Sequence, residues 1–101
     1  MEKKFEISYL SIAVSDLEEI IAYIRVDSPK AAYKMVERIN ESISRLQYFP
    51  ESGTIPRDKR LKKLGYRIIV VDNYLIFYAI KDNVVEIRRV LHGMRNYKFL
   101  L

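Results

Sequence analysis

The sequence predicts a two-layer α+β domain in the order β-α-α-β-β-β, with a helical hairpin packed on one face of an antiparallel sheet. Three observations carry that expectation. Two consecutive stretches place apolar residues at helical spacing, and three strand-like runs then follow, separated by Asp-Asn pairs. The chain has 101 residues, of which 50% are hydrophobic, enough for one core but not for two independent ones. Residues 1–101 are therefore expected to form a single domain.

Phe5, Ile7 and Tyr9 alternate with polar residues, the period of a short, half-buried strand. Ala13, Val14, Leu17, Ile20, Ile21 and Ile24 then follow helical spacing, with Ser11 as a cap or Ser15 and Glu18 as a capping box. Asp27 or Ser28 before Pro29 marks a second helix start, since proline suits the first helical position. Ala32, Met35, Val36, Ile39, Ile43 and Leu46 form its apolar stripe, and Pro50 stops it. A short joint between two amphipathic helices implies an antiparallel hairpin. The segment from Pro50 to Gly65 reads as one long irregular loop, a kind that is often functional. "YRIIVV", "YLIFYAIK" and "VVEIRRVL" are the three later strands, and Asp72-Asn73 and Asp82-Asn83 tolerate the positive φ of tight hairpin turns.

Alternation along the last strand puts Val85, Ile87, Arg89 and Leu91 on one face and Val84, Glu86, Arg88, Val90 and His92 on the other. The first row is the more apolar and is expected to pack on the helices. Arg89 then needs an acid from the first helix, Asp16 or Glu19.

The chain contains no cysteine, which excludes disulfides and thiolate metal sites and fits a reducing cytoplasm. A single histidine, His92, and no acidic cluster give no metal site, and no cofactor is expected. No apolar run approaches the roughly 18 residues of a membrane span, and the N-terminus has no signal-peptide pattern. The formal net charge is +5. Arg57–Arg67 and Glu86–Leu101 hold most of the surplus, ten of the 18 basic residues with only Asp58 and Glu86 as acids. Such a focused field attracts a polyanion or an acidic partner.

The segment "IRRVLHGMRNY" sets His92 among arginines and Tyr97. A histidine near neutral pH can move a proton, an arginine can hold a phosphate, and a tyrosine can stack a base. Lys62, Lys63 and Arg67 offer cations for a charged phosphorane. A strand cap at His92, a docked turn at Tyr97 and a solvated basic loop account for the same residues without chemistry.

"SDLEEIIAYI", "GYR" at Gly65–Arg67, "YLIFYAI" and "RVLHGMRNY" occur in this order, and together they resemble the RelE/ParE superfamily of toxins from type II toxin–antitoxin systems. The resemblance covers nearly the whole chain. It implies a growth-inhibiting toxin neutralised by direct binding of a cognate antitoxin. Of the two branches it implies, RelE-like members cleave mRNA in the ribosome and ParE-like members inhibit DNA gyrase; with no acidic cluster for Mg²⁺ in this sequence, any cleavage is expected to be metal-independent. By position, Arg67, His92, Arg95 and Tyr97 fall where RelE-like chains hold catalytic residues. Lys62 and Lys63 fall in the basic loop, where they would bind substrate with Arg57 and Arg88. Leu75 stands where several nucleases of that branch carry an arginine. The expectation is a ribosome-dependent endoribonuclease using the sheet face opposite the helices, with gyrase inhibition as the alternative.

Overall fold

The computed structural model describes residues 4–93, 97, 100 and 101. Among them, β1 (Glu6–Tyr9) leads into α1 (Ser11–Asp27) and α2 (Pro29–Arg45). A 3-10 turn at Pro50–Ser52 and the short α3 (Lys59–Lys63) precede β2 (Arg67–Val71), β3 (Tyr74–Lys81) and β4 (Val84–His92). The helices pack on a four-stranded sheet of order β1-β4-β3-β2. No described helix is long and apolar enough to cross a membrane.

The α+β expectation holds, with one refinement of the sheet. β2, β3 and β4 form an antiparallel meander, whereas β1 runs parallel to β4, Glu6 opposite Val84 and Tyr9 opposite Ile87. The sheet is therefore mixed. The turn residues Asp72 and Asp82 take positive φ, 53° and 54°, which is the backbone geometry expected of the Asp-Asn pairs.

Ser28 caps α2, its hydroxyl accepting from the Ala31 amide at 3.1 Å with Pro29 in the first turn. The caps proposed for α1 are not used. Leu10 occupies the N-cap position without a side-chain bond, and Ser15 lies inside the helix. The segment 50–65 is also less irregular than expected. Asp58 accepts from the Leu61 amide at 3.0 Å and starts α3, which drives Leu61 fully into the protein.

The sheet separates two apolar layers. Ala13 of α1 and Met35, Ile39 and Ile43 of α2 pack on Val71, Ile76, Tyr78, Val85, Ile87 and Val90. On the opposite face Leu61, Tyr66, Phe77 and Leu91 form a second cluster, joined by Tyr97, Leu100 and Leu101. That face, expected to stand open for RNA, is covered by α3 and by residues from the end of the chain.

One irregularity in β4 changes which side chains face which layer. Tyr78 pairs with Ile87 but Phe77 pairs with Arg89, so Arg88 is an extra residue. Val85 and Ile87 face the helices before the bulge, and Val90 does so after it. The expected rows are thus exchanged beyond Ile87. Leu91 lies in the opposite cluster, and Val90 belongs to the helical layer. β1 pairs with β4 only as far as Ile87, and beyond it the Asp16 carboxylate of α1 accepts the Val90 amide at 3.0 Å. A side chain there replaces the missing strand and satisfies a buried donor.

Candidate functional site

Arg67 opens β2 and faces the segment that precedes it. Its Nη1 donates to the Glu51 carbonyl at 3.0 Å and to the Gly53 carbonyl at 3.1 Å. Tyr78 lies opposite Arg67 in the register, and its buried hydroxyl donates to the Pro50 carbonyl at 2.7 Å and accepts from the Gly53 amide at 2.9 Å. Thr54 and Ile68 exchange backbone bonds of 2.8 and 2.9 Å. Arg67 therefore serves first as a clip that holds residues 51–53 against the sheet.

Beside that clip, Lys62, Gly65, Tyr66, Arg67, Ile55 and Ile80 line a shallow cavity of about 350 Å³. Gly65, at φ 81°, makes the reversal from α3 into β2, a conformation that favours glycine. The Arg88 guanidinium sits 5.0 Å from the centre of the Tyr66 ring and is paired to Glu86 at 2.9 Å. The extra residue of the bulge is thereby placed on the basic rim, beside the loop cations. Lys62 and Lys63 of α3 and Arg57 just before it are exposed. This end of the sheet thus gathers Lys62, Arg67 and Arg88 around one tyrosine, a surface suited to holding an anionic or acidic partner. Tyr66 was missed in the sequence. Its place between Gly65 and Arg67 was the available signal.

His92 lies elsewhere. His92 pairs with Tyr74 and Arg67 with Tyr78. Those positions are four residues apart on β3, roughly 13 Å along the strand, and β2 and β4 lie on opposite sides of β3. His92 also faces the helical layer, not the row of Arg88. Its ring meets Tyr74 edge-on, with centroids 5.5 Å apart. It lines a cavity with Asp16, Glu19 and Tyr23 of α1. The common face expected for Arg88 and His92 is not formed, because the bulge separates them. Tyr97 packs with its ring centroid 5.0 Å from that of Phe77, which stands edge-on to Tyr66 at 6.3 Å. Tyr97 is half-buried packing on the covered face. Arg95 lies outside the described residues. Among the described residues no group of acids and histidine is placed to hold a metal ion.

With the fold in place, the class of protein follows from comparison. Residues 7–97 match the family described as ParE toxin of type II toxin–antitoxin system, parDE. The chain belongs to that family. It is 35% identical over 89 residues to the putative toxin Y4kP of Sinorhizobium fredii, covering 88% of each chain. It is 36% identical over 84 residues to toxin RelE2 of Caulobacter vibrioides, covering 82% of this chain and 89% of that one. Its fold resembles a chain of the chromosomal ParDE system from P. aeruginosa, with a TM-score of 0.72, 20% identity, and coverage of 89% and 97%. It also resembles a chain of the RelBE2 toxin–antitoxin complex from Mycobacterium tuberculosis, with a TM-score of 0.60, 22% identity, and coverage of 91% and 97%. The protein is thus a type II toxin of the RelE/ParE superfamily.

Proposed function

We propose that this toxin acts in the ParE manner, by binding and inhibiting DNA gyrase through its basic rim, without cutting RNA. The observation that carries this reading is the separation of the candidate proton carrier, His92, from the candidate phosphate-binding cation, Arg67. His92 faces α1 at one end of β3, while Arg67 is engaged by backbone carbonyls at the other. Metal-free cleavage needs its proton carrier and its cations within reach of one phosphate. A rim of Lys62, Lys63, Arg67 and Arg88 needs no such convergence to bind a large partner. The partner that neutralises the toxin is proposed to be a cognate antitoxin, since both structural relatives above come from toxin–antitoxin systems.

Ribosome-dependent mRNA cleavage is the second reading. The cationic rim around Tyr66 favours it, because such a surface also suits a nucleic-acid backbone. The two are separated by adding purified toxin to a gyrase supercoiling reaction and to a cell-free translation reaction. Loss of supercoiling, trapped cleaved DNA and no new mRNA 5′ ends are expected. New mRNA ends only in the presence of ribosomes, with gyrase unaffected, would replace the gyrase reading with the nuclease one.

A further inference from the structure

The cavity of about 570 Å³ between α1 and the far end of the sheet is not part of the basic rim. Asp16, Glu19 and Tyr23 enter it from α1, Asn73 and Tyr74 from the start of β3, and His92 from the end of β4. Its walls combine the rings of Tyr23, Tyr74 and His92 with the aliphatic Ile20, Val90 and Leu91, and its charged groups are acids, on a chain whose net charge is +5. Glu19 is exposed and forms none of the ion pairs among the described residues, although its charge also acts on Arg89. Asp16 is buried, and Arg89 balances its charge. Among the described residues its Oδ1 nevertheless accepts one bond, from Arg89 Nη2 at 3.0 Å, and a carboxylate oxygen has room for more.

From this geometry we infer that the cavity is a receptor for an arginine side chain carried by the antitoxin. A planar guanidinium lies against the faces of Tyr23 and Tyr74 and donates to Glu19 and to the spare acceptor capacity of Asp16 Oδ1. An acidic segment fits poorly, because it would bring like charge against Glu19. The volume is in the range of sites that take a side chain or small ligand. The site is distinct from the target-binding rim, so one toxin can present its cations to the target and its acidic notch to the antitoxin. The identity of the partner rests on the toxin reading above, whereas the chemistry of the cavity does not.

The chemistry is tested first on the full chain by amide NMR, titrating N-acetyl-arginine methylamide and its neutral isostere N-acetyl-citrulline methylamide. Saturable millimolar binding is expected, with shifts confined to residues 16–23, 73–74 and 90–92. Binding should weaken at least about fivefold for citrulline and for Glu19→Gln, as loss of a charge-assisted contact requires. Tyr23→Ala, at a side chain 77% exposed, should weaken it as well and leave the fold intact. Diffuse, non-saturating shifts, or equal binding of both probes, would overturn the site.

The second arm uses the toxin with the product of the adjacent antitoxin gene. Glu19→Arg should weaken the complex roughly tenfold or more by placing like charges together, and leave the toxicity of the uninhibited protein unchanged. An unaltered complex would remove the antitoxin as the source of the arginine. A chain that is not toxic at all would defeat the functional reading while leaving the titration to decide the cavity.

Discussion

Arg89 and Asp16, 73 positions apart, form a two-pronged ion pair in which Nε donates to Oδ2 at 2.8 Å and Nη2 to Oδ1 at 3.0 Å. The third guanidinium nitrogen, Nη1, donates to the Leu100 carbonyl at 3.1 Å. The same carboxylate accepts the Val90 amide. One acid on α1 therefore holds the bulged end of β4 in place, and one arginine on β4 ties down a residue that covers the far face of the sheet. The pair's side chains are only 13% and 8% exposed, so their bonds lie largely out of reach of solvent screening.

Asp16→Ala leaves Arg89 and the Val90 amide without their partner. It is expected to cost about 3–5 kcal/mol of stability, the scale for breaking a buried pair from one side. Urea unfolding measures the loss. The double variant Asp16→Ala, Arg89→Met should recover part of it, because the stranded charge is gone. A single variant as stable as the wild type would mean that the bulge is held by something else.

Tyr78→Phe removes the hydroxyl that bonds Pro50 and Gly53 and should cost about 1–3 kcal/mol. Burial raises the Tyr78 pKa above its ordinary value of 10.0, because the neutral phenol is favoured inside the protein. A folded-state pKa above the unfolded one means stability is fully present below pH 10 and is lost as pH rises through the folded value. The variant should flatten that alkaline loss. Tyr9, whose pKa burial also raises, should leave a residual slope. Equilibrium unfolding from pH 8 to pH 11 tests the sign.

Gly53→Ala should destabilise by about 1–3 kcal/mol through overpacking. A Cβ at this position would overlap the ring and hydroxyl of Tyr78. In the Tyr78→Phe background the penalty should fall only slightly, since ring carbons as well as the hydroxyl stand in the way. Thermal melts of the two single variants and the double variant give the coupling directly.

Lys62→Ala with Lys63→Ala should weaken inhibition of the target roughly tenfold at low salt, with a smaller difference at high salt, as screened surface attraction predicts. Both side chains are exposed, so unfolding midpoints should not move. His92→Ala, by contrast, should leave toxicity within about threefold of the wild type, since it keeps the basic rim. Toxicity lost on His92→Ala, in a protein that still melts normally, would return His92 to the catalytic role.

Much of the architecture was legible because it depends on local pattern. The apolar stripe from Ala32 to Leu46 makes a helix wherever it is placed, Pro29 after Ser28 marks its start, and the Asp-Asn pairs mark two turns. The pairing of Arg89 with a first-helix acid was also legible, because an arginine in an apolar row requires one. The covered far face was not. Nothing in the spacing of Tyr97 and Leu101 shows that they reach Phe77 and Leu91 across the sheet.

The candidate site was the least legible part, and the reason lies in one residue. Strict alternation places Arg88 and His92 on a common face, and a single extra residue between Ile87 and Arg89 puts them on opposite faces. A bulge carries no signal in the strand that contains it. Here the bulged end is bonded by Asp16, 74 positions from Val90, which accepts the amide where β1 has already ended. The sequence by itself determined the order of the two long helices and the four strands, the basic second half and the family. Only the tertiary structure decided which side chains share a face, because that depends on hydrogen bonds between distant segments, which local periodicity does not encode.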